Sequence, residues 1–183
     1  MERIEYNKLE RIKVSEERNI LLRPIRDSDT DSIVRWRNSD LVRSKFIFRD
    51  TFTRSMHQDW LEKKVYQGLV IQYIIEQDGN SIGSVYLRDV DLRNESGEFG
   101  IFIGEADAIG KGIGRSVTTV FTEQCLKWGF HRIVLRVFSN NTAAIKCYKM
   151  AGFEFEGEAK DMVYIDGTRY DVTFMSMINH QMH

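Results

Sequence analysis

The stretch Ile109-Gly-Lys-Gly-Ile-Gly114 constrains this chain more than any other. It joins a strand-like run, Glu98-Phe-Gly-Ile-Phe-Ile103, to a helix-like run from Arg115 to Trp128. Glycine at every second position lets the backbone turn tightly, and a ligand can come close because no Cβ stands in the way. The helix that follows presents its first N–H groups and the positive end of its dipole to the turn. Such a strand–turn–helix unit is a seat for phosphate or pyrophosphate. Taken in isolation it also fits an ordinary glycine-rich turn.

Spacing removes two common phosphate binders. A nucleotide-kinase P-loop needs four residues between its first glycine and a Gly-Lys-Ser/Thr, whereas Lys111 precedes Gly112-Ile113-Gly114 with no Ser or Thr closing the loop. A dinucleotide fingerprint needs G-x-G-x-x-G and an acidic residue roughly twenty positions on, at the end of the next strand. Here Gly110, Gly112 and Gly114 are evenly spaced, and the following strand ends in Val137-Phe138.

A second signature follows: Asn140-Asn-Thr-Ala-Ala-Ile-Lys-Cys-Tyr148-Lys-Met-Ala-Gly152-Phe153. Together with Gly112 and Gly114 it resembles the cofactor half of the GCN5-related N-acetyltransferase (GNAT) family. There a Gln/Arg-x-x-Gly-x-Gly/Ala turn wraps the pyrophosphate of acetyl-CoA, and an Asn opens a short helix that carries Tyr before Gly-Phe. Ile109 stands where that pattern has a polar residue. The resemblance covers residues 19–179 and is strongest over 98–156. It implies an α/β fold with a mixed, mostly antiparallel seven-stranded sheet, helices on both faces, and a splay between two central strands.

The periodicity agrees. Ile20 to Ile25 reads as a strand, and the cap-rich cluster 27–31 leads into a helix through Ile33 and Trp36. Thr53 is a candidate cap for a second helix with Met56, Trp60, Leu61 and Val65 at helical spacing. Val70–Glu76 and Ser81–Val90 flank Gln77-Asp78-Gly79-Asn80 and read as a hairpin. Val117, Val120, Phe121, Cys125 and Trp128 mark the inward stripe of the helix after the glycines. Strands are expected at 133–138, 153–159 and 170–179, with a helix at 142–150. Residues 1–18 are charged and read as an arm or a short extra helix, followed by a single domain over 19–183.

Composition narrows the function classes. With 183 residues, a net charge of −1 and 29% charged residues, the chain has the size of one core and no global field to draw nucleic acid or an anionic membrane. Cys125 and Cys147 form no C-x-x-C, and His57, His131, His180 and His183 are scattered, so no metal site is expected. No apolar run approaches membrane-spanning length and the N-terminus lacks a signal-peptide core, so a reduced, cytoplasmic protein is the expectation.

The reaction implied by the resemblance is acetyl transfer from a thioester to an amine. The amine must shed a proton, the oxyanion needs donors, and the leaving thiolate benefits from an acid. The acid candidate is Tyr148, which shares a helical face with Asn141, Ala144 and Ile145. Glu98 is the candidate base, acting through water, with His57 as a rival. Backbone donors around Ile101, Phe102 and Ile103 would meet the thioester and pantetheine arm. Ile109, Gly110, Lys111, Gly112, Ile113, Gly114 and Arg115 would cradle the pyrophosphate.

On the acceptor side, Trp36, Arg37, Asn38, Phe46, His57 and Trp60 bring aromatic and cationic groups together, the chemistry that stacks on rings and grips phosphates. This half resembles acetyltransferases of nucleotide-linked amino sugars. The C-terminal run Tyr164-Ile-Asp-Gly-Thr-Arg-Tyr-Asp171 also resembles the spermidine and ribosomal-protein N-terminal enzymes. The acceptor expected is a small-molecule amine, with a polyamine, a protein N-terminus and a catalytically silent CoA-binding sensor as alternatives. A homodimer is the assembly the resemblance suggests.

Overall fold

Strong β-hairpin signals order much of the chain. A computed structural model describes residues 4–180. Eight strands form one sheet: β1 (Ile12–Ser15), β2 (Ile20–Pro24), β3 (Ile71–Gln77), β4 (Asn80–Asp91), β5 (Ser96–Ile103), β6 (Arg132–Phe138), β7 (Glu154–Ile165) and β8 (Thr168–Ile178), in the spatial order β1-β2-β3-β4-β5-β6-β8-β7. Asp78 and Gly79 both have positive φ (51° and 78°), the signature of the two-residue turn that matches strand twist between β3 and β4. Asp166 and Gly167 repeat the device between β7 and β8, with φ of 49° and 82°.

Seven strands were expected and eight are present. The extra one is β1, in the segment read as an arm or a short helix. It pairs antiparallel with β2, and Ile12 and Val14 pack on the main core. Two apolar residues separated by Lys13 are too short a run to stand out in a charged stretch.

Helices cover both faces. Helices α1 (Thr30–Asn38), α2 (Asp40–Arg43) and α3 (Arg54–Trp60, extended by a π-turn over Leu61–Val65) cover one face. Helices α4 (Ile113–Lys127) and α5 (Thr142–Met150) cover the other. The Thr53 side chain caps α3 by accepting from Met56 N–H, as its position suggested. In α4 the buried stripe runs Ile113, Val117, Phe121, Cys125 against Phe99, Leu87 and Tyr73 of the sheet, while Val120 is only half-buried. Beneath α1–α3 lies a second core of Ile25, Ile33, Trp36, Val42, Leu61 and Ile74. Arg23, at 8% exposure, donates to Asp29 at 2.7 Å through two nitrogens and to Glu76 at 2.6 Å, locking the entry to α1 against the sheet.

The feature that positions the site is a fork. Strand β5 runs parallel to β6 only at Ser96–Glu98, opposite Arg132–Val134. Beyond that point β5 pairs with β4 alone through Ile103, and β6 pairs with β8 alone through Phe138. One backbone edge of β5 at residues 99–103 thereby leaves the ladder, and backbone groups released in this way seek another partner.

Candidate active site

The fork opens onto the glycine turn. Gly110 and Gly112 have φ of 77° and 76°, the left-handed conformation that a Cβ disfavours. Gly112 is the residue from which α4 starts, so the N–H groups of Ile113, Gly114 and Arg115 lack intrahelical acceptors. A Cβ added at Gly110 or Gly114 would meet no atom within 4 Å, so the concave face of the turn lies open. An open, donor-lined seat at a helix N-terminus has the chemistry that suits a pyrophosphate. Ile109 presents a 48%-exposed apolar side chain at its rim.

Helix α5 forms the other wall. Asn141 accepts from Ala144 N–H at 3.3 Å and thereby caps α5, which sets the register of Ala144, Ile145 and Tyr148 toward the core. The capping bond ties the Asn141 side-chain oxygen to its own helix. Tyr148 packs edge-on against Phe99 and Phe153, with ring centroids 6.0 Å from each. Burial, reinforced by the nearby Cys147 and Tyr86, raises its phenol well above the usual range, so it stays protonated and able to donate.

The strand face beneath α1–α3 carries a different chemistry. Ser84, Tyr86 and Arg88 of β4 stand opposite Phe102, Gly100 and Glu98 of β5. Tyr86 lies across Gly100, where an added Cβ would fall 2.3 Å from the ring. Glu98 accepts from Arg88 at 2.6 Å and from Arg136 at 2.9 and 3.2 Å, so both of its oxygens face guanidinium donors. Arg37 sits 3.5 Å above the Phe46 ring, and burial lowers its pKa from the ordinary guanidinium value. Arg37 Nη1 and Arg88 Nε are buried without a hydrogen-bond partner. The Tyr86 phenol feels Arg88, Arg37, Glu98 and Arg136 together, and burial raises its pKa. A groove bordered by Glu98, Arg132, Val134, Arg136, Glu156 and Phe174 runs along β6, from its stretch paired with β5 to just beyond the fork.

The segment between α2 and α3 closes this side. Asn38 donates to and accepts from the Phe52 backbone at 2.8 Å, pinning the loop to α1. Arg49 reaches across to Phe138 and Tyr170, with its guanidinium 5.5 Å from each ring.

Several acceptor-side expectations need correction. Trp36 and His57 are each 1% exposed and belong to the wall, not its surface. Trp36 donates its indole N–H to Glu105 at 2.8 Å and packs on Phe102. The His57 ring is bonded through Nδ1 to the Thr30 hydroxyl at 3.0 Å, and that hydroxyl donates onward to Asp27 C=O, so Nδ1 carries the hydrogen. Burial lowers the His57 pKa to about 4, which leaves it neutral and away from solvent. Trp60 donates to Gln72 at 2.8 Å and is partly buried. Of the six acceptor candidates, Arg37 and Phe46 border the Tyr86–Glu98 cluster.

Tyr86, Arg88 and Arg136 were not singled out from sequence. The signal was present in the alternation of Ser84, Tyr86 and Arg88 with the apolar Val85 and Leu87. Among the described residues no group of three or more His, Cys, Asp or Glu side chains is placed to hold a metal ion. No helix there is long and apolar enough to cross a membrane.

Comparison with known proteins agrees with this geometry. The family model for the acetyltransferase (GNAT) domain matches residues 19–154. An uncharacterised protein of Methanocaldococcus jannaschii is 26% identical over 84% of this chain, which spans only 32% of that relative's length. The L-amino acid N-acetyltransferase of Escherichia coli is 28% identical over 65% of this chain and 75% of its own. The crystal structure of spermidine N-acetyltransferase from Vibrio cholerae, in complex with CoA and spermine, superposes with a TM-score of 0.82 at 23% identity, over 87% of this chain and 95% of that one. With its forked sheet and glycine turn, the chain belongs to the GNAT family and carries the domain of an acetyl-CoA-dependent N-acetyltransferase.

Proposed function

We propose that this protein transfers the acetyl group of acetyl-CoA directly to the primary amine of a small molecule that also carries an anionic group. A nucleotide-linked amino sugar, with its diphosphate, is the acceptor type that best suits the site. The observation that carries this reading is the cluster of Arg37, Arg88 and Arg136 around Tyr86, countered by the half-buried carboxylate of Glu98 and, at 3.7 Å from Arg88, by the exposed Asp89. Arg37 Nη1 and Arg88 Nε make no hydrogen bond there, although Arg88 Nε lies 3.7 Å from the Asp89 carboxylate, and a buried donor without an acceptor is costly. A phosphate or carboxylate would satisfy them with charge-assisted bonds. The E. coli relative is named for L-amino acids, which place a carboxylate beside the reacting amine.

In this reading the amine lone pair attacks the thioester carbon, the C–S bond breaks, and the sulfur leaves toward Tyr148. The neutral phenol donates to the sulfur as negative charge develops there. No acyl-enzyme is required, because the thioester is already activated. The ammonium proton leaves through water. Glu98, held by two guanidiniums, serves mainly to fix Arg88 and Arg136 in place, and less as the base.

A polycation such as spermidine would meet three arginines and a carboxylate already neutralised by two of them. The spermidine relatives therefore inform the fold and the donor half more than the acceptor. Thiol release from acetyl-CoA, measured against UDP- and dTDP-linked amino sugars, amino acids, spermidine and N-terminal peptides, tests the proposal. Turnover of an anionic amine supports it. Preference for spermidine or a peptide refutes the acceptor assignment, and CoA binding with no turnover of any amine favours a sensor.

A further inference from the structure

The β1–β2 turn brings a side chain to the glycine turn that neither the family pattern nor the motif spacing assigns. Arg18 Nη1 donates to Lys111 C=O at 2.6 Å, across 93 positions of sequence. The same nitrogen lies 3.5 Å from where a Cβ of Gly112 would stand. The turn that carries Arg18 is itself anchored: Arg18 N–H bonds to the Ser15 hydroxyl at 3.3 Å, β1 pairs with β2, and Ile12 and Val14 pack on the core.

This placement has two physical consequences. A trans peptide sets C=O and the next N–H on opposite edges of one plane, so a held Lys111 carbonyl also fixes the direction of Gly112 N–H. In addition, the Arg18 guanidinium joins Lys111 and Arg115 at the positive end of the α4 dipole, and residues 109–115 include no acid. Cations gathered at a helix N-terminus oppose the dipole in the free protein, and an anion at the same place reverses the balance.

We infer that Arg18 is a positioning residue of the acetyl-CoA site, holding the Lys111–Gly112 peptide and adding positive charge where the donor's pyrophosphate belongs. The inference rests on the GNAT donor site and is independent of the acceptor proposed above. It also gives β1 a role, as the strand that carries this residue to the turn. Ile109, apolar at the position where the family pattern is polar, leaves room for such a contribution from another part of the chain.

The test is calorimetric titration of CoA and of pantetheine, which lacks the pyrophosphate, into the wild type, Arg18→Ala and Arg18→Lys, with melting of each free protein. Arg18→Ala is expected to weaken CoA roughly tenfold, leave pantetheine within about twofold, and leave melting of the free protein unchanged or raised. Arg18→Lys, which keeps the charge, should fall between the wild type and Arg18→Ala. CoA affinity within about twofold of the wild type in Arg18→Ala would overturn the inference. So would equal weakening of CoA and pantetheine, or a fall in the melting temperature, either of which would mark Arg18 as a scaffold residue. A wild type that binds no CoA would refute the donor site itself.

Discussion

The two sides of the forked sheet are built from different materials. On the α4–α5 side the seat is backbone: left-handed glycines at 110 and 112, a helix N-terminus, and one edge of β5 released from pairing. On the α1–α3 side it is side chain: Tyr86 laid over Gly100, and Arg37, Arg88 and Arg136 gathered near Glu98. The first kind of site suits a ligand part that does not change, since peptide donors hold phosphate whatever the sequence around them. The second kind can be altered one substitution at a time. If the proposed acceptor site is right, specificity resides on the α1–α3 side of the fork.

Substitutions should separate the two sides. The largest effect is expected from Tyr148→Phe, which removes the proposed acid: kcat should fall about 100-fold or more, with CoA affinity within about twofold. Equal loss of both would make Tyr148 a cofactor contact and blur the division. Gly100→Ala comes next, because the new Cβ would fall 2.3 Å from the Tyr86 ring and displace it. Steady-state kinetics should show kcat/KM for the acceptor falling roughly 10- to 100-fold, with calorimetric CoA binding unchanged. Glu98→Gln should cost less, roughly tenfold in acceptor kcat/KM, because the amide still occupies the place between Arg88 and Arg136. A loss of 1,000-fold or so, with a pH–rate profile that loses its acidic limb, would instead restore Glu98 as the base.

At neutral pH the smallest effect belongs to His57, whose role lies in the wall. Its folded pKa of about 4 is below the unfolded value of 6.5, so the unfolded chain takes up the proton first as pH falls. The stability held above pH 6.5 should therefore decline between 6.5 and about 4, by about 3 kcal/mol from this residue. Urea melts across that range check it, and the slope should flatten in a variant with Phe at position 57.

Legibility in the sequence followed the same division. The glycine turn, the α4 stripe, the Asp78–Gly79 hairpin and the Thr53 cap are local patterns, and each appears where the residues placed it. Strand β1 escaped because four residues among charges give little periodic signal. Trp36 and His57 drew attention as ring and imidazole, yet chemistry alone does not tell a wall from its surface. Only packing shows that Trp36 is satisfied by Glu105 and that His57 is held through Nδ1 by Thr30. The arginine cluster comes from helix α1, strand β4 and strand β6, a meeting that depends on the register Arg88–Glu98 and the parallel step Glu98–Val134. No single stretch of chain contains it.

The most direct measurement compares kcat/KM for two amines that differ only in an anionic group, in the wild type and in Arg88→Met, with CoA affinity measured alongside. The wild type is expected to favour the anionic amine at least tenfold or so, Arg88→Met to collapse the ratio toward one, and CoA to bind both proteins equally. A wild type that prefers the neutral amine or spermidine, or a ratio untouched by Arg88→Met, would contradict the acceptor assignment.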